Sequence, residues 1–167
     1  EPLHWFSESY ALTEHHPSPV HPRSRRVPTI LRNILAVVAG LFLGSVLNMA
    51  IITVGPMVIP LPDGLDMSDM DHFAENLKLL QPANFFAPWL AHALGTLVGA
   101  FVAAKIAASH KMKFALGIGV FFLLGGITMA ASFGGPLWFI VLDLVGAYLP
   151  MGYLGGSLAR ATRPQPK

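Results

Sequence analysis

The stretch NILAVVAGLFLGSVLNMAIITV, residues 33–54, decides the fold class because it is apolar, carries no charged side chain and is long enough to cross a membrane. At about 1.5 Å per residue, about 20 helical residues span the roughly 30 Å hydrocarbon core of a bilayer. Three further, predominantly apolar stretches follow at residues 86–108, 114–131 and 137–158. The sequence therefore predicts an all-α polytopic membrane protein, with four transmembrane helices in an antiparallel bundle.

The composition supports the same class. Of the 167 residues, 53% are hydrophobic and only 12% are charged, whereas charged residues make up about a quarter of an ordinary soluble domain. The chain contains no cysteine, which excludes disulfides, thiolate metal sites and a thiol nucleophile. An ordinary soluble enzyme is therefore excluded.

The two ends of the chain differ from the apolar part, residues 29–160. Residues 1–28 contain five prolines and four histidines and have no helical or strand period, which indicates an extended arm. Residues 161–167 form a short C-terminal tail. The first residue is Glu1, for which a cleaved targeting sequence and a trimmed numbering are equally good explanations.

The basic residues predict the orientation in the membrane. Ten of the 11 lysines and arginines lie before the first span, around the turn between the second and third spans, or after the fourth. The loop between the first two spans, residues 55–85, holds five acidic residues against Lys78 alone. The positive-inside rule then places both termini on the positive side of a bacterial or organellar inner membrane, in the cytoplasm, matrix or stroma.

The acidic loop, residues 55–85, predicts a short amphipathic helix. Ser68 and Asp71 have the spacing of a helix start that resembles a capping box. Apolar residues then recur at helical spacing until Gln81-Pro82, namely Met70, Phe73, Leu77 and Leu80. We expect this helix to lie on the membrane surface or on the bundle. The carboxylates lack the alternating order and the closing Glu of a calcium loop, so a solvated acidic face is favoured over a metal site.

Small residues recur at four-residue spacing in the first two spans. The first span contains Ala36, Gly40 and Gly44, and the second contains Ala91, Gly95, Gly99 and Ala103. Helices in lipid associate through close backbone contact, which small side chains permit. We therefore predict that the two sets, here called the small-residue ridges, face each other or the helices of another protein.

One polar residue from each span forms a candidate site, namely Asn48, His92, Thr128 and Asp143. Counted from the acidic end of each span, three of them share a depth of roughly 9 Å, and Thr128 is slightly shallower. Ionisable groups are costly in a bilayer and usually pair inside a bundle. We predict a polar layer that acts as interhelical hydrogen bonding or as a proton relay in which Asp143 accepts from His92. Hydrogen bonding is favoured because the other half of each span offers no polar path.

Other chemistry is not indicated by the sequence. A single intramembrane histidine cannot supply two axial histidines to a haem. The chain also lacks a phosphate-binding glycine loop, an H-E-x-x-H motif and a nucleophile elbow. We therefore predict no catalytic residue, no metal, no cofactor and no nucleic-acid partner.

Two stretches carry a resemblance. AHALGTLVGAFVAAKIAASHKMKFALGIGVFFLLGGI, residues 91–127, and WFIVLDLVGAYLPM, residues 138–151, resemble a family of small uncharacterised bacterial membrane proteins. The resemblance covers roughly residues 32–159 and is one of general pattern. It implies a four-helix integral membrane core and no particular activity. The arm at residues 1–28 departs from the pattern, because such proteins usually start almost directly at the first span.

Together these features lead us to expect a non-catalytic accessory or structural subunit of a larger membrane protein complex. An energy-transducing complex, such as a respiratory or photosynthetic assembly or an ATP synthase, is the expected setting. The partners of this protein would be other membrane protein subunits and lipids. The alternative is a small transporter or channel, built as a homo-oligomer, with the polar layer as its site.

Overall fold

Residues 27–162 are described by the computed structural model, and every regular element among them is helical. The predicted arm, apart from its last two residues, and residues 163–167 of the predicted tail lie outside the described residues. The helices are α1 (Thr29–Val58), α2 (Phe73–Leu79), α3 (Phe86–Ile106), α4 (Lys111–Phe133), α5 (Leu137–Gly146) and α6 (Leu149–Ala161). A single 3₁₀ turn, Pro82–Phe85, leads into α3.

Four helical segments are long and apolar enough to cross a membrane, namely Thr29–Val58, Pro82–Ile106, Lys111–Phe133 and Leu137–Arg160. Their outer surfaces carry large apolar side chains, and on α1 alone Ile34, Val38 and Phe42 are each more than half exposed. Continuous apolar surface of this kind suits contact with lipid better than contact with water. The prediction of an all-α protein with four helices of transmembrane length is confirmed.

Glycines let α1 and α3 come into close contact. A Cβ atom added to Gly40 would lie 2.7 Å from the carbonyl oxygen of Gly99, and one added to Gly44 would lie 2.7 Å from that of Gly95. Real Cβ atoms do not approach other atoms so closely, so only glycine fits at either position. Residue numbers rise along α1 as they fall along α3 in these pairs, so the two helices run in opposite directions.

α3 is the central helix, because α1, α4 and α6 each pack mainly against it. Its buried residues are small: Ala91, Ala93, Gly95, Thr96, Gly99, Ala100, Ala103 and Ala104. The opposing buried residues of α1 are Ala36, Gly40, Gly44 and Gly55. All seven residues of the small-residue ridges are therefore buried within the helix bundle of this chain. The glycine pairs Gly40–Gly99 and Gly44–Gly95 lie between α1 and α3.

The fourth apolar segment is not one continuous helix. α5 ends at Gly146 and α6 begins at Leu149, with Pro150 in the first turn of α6. A proline inside a helix lacks the amide hydrogen, and its ring clashes with the carbonyl four residues before it, which here belongs to Gly146. The helix therefore breaks at this point, and Tyr148, beside the break, is 2% exposed.

The first apolar segment extends beyond its predicted end. We predicted that Gly55-Pro56 would stop the span at Val54, but α1 continues through Pro56 to Val58. A Cβ atom on Gly55 would lie 2.5 Å from the Cβ of Ala87, so α1 still packs against the start of α3 here. This packing offsets the hydrogen bond that Pro56 cannot donate.

The helix predicted from Ser68 begins later, at Phe73. Ser68 is held in a turn instead, because its backbone N–H and its hydroxyl both donate to Oδ1 of Asp66, at 2.8 and 2.6 Å. The side chain that a capping box would require is thus engaged before the helix starts. The ring of Phe73 packs edge-on against Phe133 of α4, with 5.0 Å between the ring centres.

Candidate functional site

His92, Asp143 and Tyr148 meet where α3, α5 and the break between α5 and α6 come together. Nδ1 of His92 lies 2.9 Å from Oδ1 and 3.0 Å from Oδ2 of Asp143. The Tyr148 hydroxyl donates to Oδ2 of Asp143 at 2.8 Å and lies 3.0 Å from Nδ1 of His92. These three side chains form one hydrogen-bonded group, here called the His–Asp–Tyr cluster.

The cluster is buried on one side and accessible on the other. Asp143 is only 5% exposed, whereas 27% of the His92 side chain is exposed. The Tyr148 ring stacks on the imidazole, with 5.7 Å between the ring centres and 28° between the planes. Burying a carboxylate is costly unless it is hydrogen-bonded or paired. Both oxygens of Asp143 have partners, so the cluster meets this requirement.

Of the four residues predicted to form a polar layer, the structure brings together only His92 and Asp143. Thr128 is exposed on α4, and its hydroxyl donates to the carbonyl of Leu124 at 2.8 Å. Asn48 is half-buried against Gly95, and its side chain makes no hydrogen bond within residues 27–162. The four-residue layer is corrected to a pair, because equal depth does not fix the direction in which a side chain points around its helix axis.

Tyr148 belongs to the cluster but is not among the site residues predicted from the sequence. On an unbroken helix, five residues of separation from Asp143 would turn Tyr148 about 140° away from it. The break before Pro150 removes this constraint and brings the hydroxyl back to the carboxylate. The available signal was the proline inside an apolar span, because proline there predicts a kink or a break.

A cavity of about 380 Å³ borders the cluster at the acidic-loop end of the spans. His92 and Asp143 line it, together with apolar residues from α1, α3, α4 and α5. The loop before α3 contributes Phe73, Leu77 and Leu80, which belong to the apolar stripe predicted for α2. These three residues of the stripe therefore face the bundle, whereas its first member, Met70, is exposed. The cavity combines an apolar wall with one polar cluster.

The second imidazole nitrogen of His92, Nε2, makes no hydrogen bond to any residue in the range 27–162. Within that range, the buried side-chain polar atoms without a partner are Nε1 of Trp89 and Oγ1 of Thr96. Nε2 is not among them, so it remains accessible, and His92 is one of the residues that line the cavity. The cluster can therefore hold a proton between Asp143 and His92 and present a polar nitrogen to a molecule in the cavity.

The acidic loop has its own electrostatics outside the spans. Nδ1 of His72 lies 2.8 Å from Oδ2 of Asp69, and this hydrogen bond raises the pKa of His72 and lowers that of Asp69. Donation from the Ser68 hydroxyl lowers the pKa of Asp66. Within residues 27–162, no three His, Asp or Glu side chains are grouped so that they could hold a metal ion. The contacts of these carboxylates stabilise loop turns.

Comparison of the chain with known protein families, with curated proteins and with solved structures finds no match.

Proposed function

We propose that this protein is a polytopic membrane protein whose four spans form an antiparallel bundle, with both termini on the positive side of a bacterial or organellar inner membrane. The opposite directions of α1 and α3 support the bundle, and the distribution of basic residues supports the orientation. Packing of Phe73 on Phe133 supports a position of α2 over the acidic end of the bundle.

The absence of cysteine from the chain allows a direct test of orientation. Single variants Ser68→Cys, in the acidic loop, and Ala108→Cys, in the turn between α3 and α4, both change exposed residues. In intact bacterial cells, a membrane-impermeant maleimide should label Ser68→Cys and should label Ala108→Cys only after permeabilisation. The reverse pattern would overturn the orientation.

We propose further that the protein is a non-catalytic accessory subunit of a larger membrane complex, of an energy-transducing kind. The observation that carries this proposal is the packing at the basic end of the bundle. There the interior is filled by Ala100, Ala103, Ala104, Ala115, Ile118 and Ala159, which favours a rigid scaffold over a passage for a substrate. The exposed apolar surface of the spans is then available to other membrane subunits and to lipid.

Site-specific photocross-linking in native membranes tests this role. A photoreactive residue at Phe42, which is 65% exposed on α1, should form cross-links to other proteins. The same residue at Ile118, which is 1% exposed, is the matched control and should not. Mass spectrometry should identify the partners as subunits of a respiratory, photosynthetic or ATP synthase complex. Migration of the protein alone after mild detergent extraction, without cross-links from Phe42, would overturn the proposal.

The cavity beside the His–Asp–Tyr cluster favours the second candidate, a transporter or channel assembled from several copies. Because the basic end of one copy is filled, a passage would have to run between copies. Reconstituted liposomes distinguish the two candidates. A proton flux that Asp143→Asn abolishes would favour the transporter, whereas the absence of any proton flux into the liposomes would favour the scaffold.

A further inference from the structure

We propose that the cavity beside the His–Asp–Tyr cluster binds a lipid-soluble ring compound that carries a carbonyl group, of the quinone class. His92 would donate a hydrogen bond from Nε2 to that carbonyl. This inference concerns a ligand site and is independent of whether the protein is a subunit of a complex.

The charge of the cluster determines whether Nε2 donates or accepts a hydrogen bond. A net charge buried in a membrane is costly, so the neutral arrangement of Asp143 and His92, with one proton shared between the carboxylate and Nδ1, is favoured. If the shared proton lies on Nδ1, the imidazole is protonated at both nitrogens. If the shared proton lies on Asp143, Nδ1 accepts a hydrogen bond from the carboxyl group, and the imidazole carries its own hydrogen on Nε2. In both cases Nε2 is a donor, and the ligand must present an acceptor.

The other polar groups on the wall are already engaged. Both oxygens of Asp143 are engaged in hydrogen bonds within the cluster, one with His92 and one with the Tyr148 hydroxyl. The amide of Asn84 accepts from the backbone of Gln81 at 3.0 Å and donates to the carbonyl of Pro60 at 3.0 Å. Specificity in an apolar pocket comes from a few placed polar groups, and His92, which lines this cavity, has an accessible nitrogen without a partner, Nε2.

The apolar wall favours a flat ring. Two aromatic pairs border the cavity: Phe73 with Phe133, at 5.0 Å between ring centres, and Phe85 with Phe139, at 4.7 Å. Aromatic side chains prefer offset or edge-to-face contact with another ring. The volume of about 380 Å³ falls within the usual range for a small-molecule site. A ring that carries a carbonyl satisfies both the wall and the donor.

Tryptophan fluorescence of the purified full chain in detergent micelles provides the measurement. Trp138, one of three tryptophans in the chain, lies 5.5 Å between ring centres from Phe85, which lines the cavity. A quinone in the cavity should therefore quench part of the emission. The probe is 2-decyl-1,4-benzoquinone. Two competitors separate its chemical features: decylbenzene keeps the ring without a carbonyl, and methyl decanoate keeps a carbonyl without the ring. We expect each competitor to bind at least about tenfold more weakly, the loss expected for one hydrogen bond or one ring contact.

Paired variants locate the site. His92→Phe should weaken quinone binding about tenfold, whereas His110→Asn, which removes an exposed imidazole outside the cavity, should leave it unchanged. Ala130→Phe should obstruct the cavity and abolish binding, without adding a tryptophan to the fluorescence signal. Ala131→Phe changes the adjacent residue, which is exposed and does not line the cavity, and should bind normally.

Three results would overturn the proposal. If decylbenzene bound as tightly as the quinone, the hydrogen bond would make no contribution. If methyl decanoate bound as tightly, the cavity would be an acyl-lipid site instead. Unchanged binding to either His92→Phe or Ala130→Phe would place the ligand elsewhere. If His92→Phe does not fold, the competitor series and the pair at residues 130 and 131 still decide the outcome.

Discussion

At the scale of single residues, Asp143 has the most demanding environment, since it is a carboxylate at 5% exposure inside an apolar segment. Its position is tolerated because His92 and Tyr148 both bond to it. A buried polar group left without its partner costs about 1–3 kcal/mol. The side chain at position 143 therefore determines whether His92 and Tyr148 keep their hydrogen bonds to it.

Asp143→Asn should preserve the fold, because an amide can still accept from Tyr148 and bond to His92. Asp143→Leu removes the hydrogen bonds that His92 and Tyr148 make to the carboxylate, so we expect it to be less stable than Asp143→Asn by about 2 kcal/mol. Denaturant unfolding in detergent measures the difference. Thr128→Val, at an exposed residue of α4, is the control and should change stability by less than about 0.5 kcal/mol. Equal stability of the Asn and Leu variants would contradict the structural role of the cluster.

His72 and Asp69 predict a pH-dependent contact in the acidic loop. The hydrogen bond to Asp69 raises the pKa of His72 above its ordinary value of 6.5, so the stabilisation is complete below about pH 6.5 and disappears as pH rises through the raised pKa. The lowered pKa of Asp69 means that its contribution is complete above the ordinary value of 3.8 and disappears as pH falls through the lowered value.

NMR titration of the His72 imidazole tests this contact. Asp69→Asn should move the pKa of His72 down toward 6.5. Asp63→Asn removes an acidic residue of the same loop that has no hydrogen bond to His72 and serves as the control. The same His72 titration in Asp69→Asn and in the unchanged protein would show that the pair does not form.

At the scale of elements, glycine determines how close α1 and α3 lie. Gly44→Ala would place a Cβ 2.7 Å from the Gly95 carbonyl oxygen and should destabilise the protein by about 1–3 kcal/mol, as overpacking does. Gly125→Ala, in α4, is the matched control because a Cβ there meets nothing within 4 Å. The unfolding free energies of both variants in detergent test the close contact, and a neutral Gly44→Ala would refute it.

The break between α5 and α6 is an element-scale feature that Pro150 imposes. Pro150→Ala restores an amide donor and removes the ring clash, so the helix should continue and turn Tyr148 away from Asp143. A double-mutant cycle measures this. Tyr148→Phe should cost about 1 kcal/mol in the unchanged protein and close to nothing in the Pro150→Ala background. The same cost in both backgrounds would mean that the break does not depend on the proline.

At the scale of the whole molecule, the two ends of the bundle differ. The basic end is filled by small residues around α3, and Asn33 ties α1 to the turn after α3 by accepting from the backbone N–H of Ala108 at 2.9 Å. The acidic end contains the cavity and the loop that borders it. Rigidity is therefore concentrated at one end, and the space for a ligand lies at the other.

Hydrogen exchange should follow this division. Backbone amides of α3 should exchange most slowly, because α1, α4 and α6 all pack mainly against α3. Residues 59–72 should exchange fastest, because few of their amides are bonded within a helix. Exchange mass spectrometry in detergent resolves these segments. If α3 exchanged as fast as residues 59–72, the central position of α3 would be incorrect.

Sequence alone determined the helical class, the four apolar segments and the small residues at the α1–α3 contact. It also predicted the pairing of His92 with Asp143. These features follow from local properties, because in lipid each spanning segment must satisfy its own backbone and few residue types can be buried. Tertiary structure decided that Asn48 and Thr128 stand apart from the cluster, since the rotation of a helix about its axis depends on its neighbours. It also decided the contact of Tyr148 with Asp143 and the cavity, because both depend on how separate segments pack around the break before Pro150.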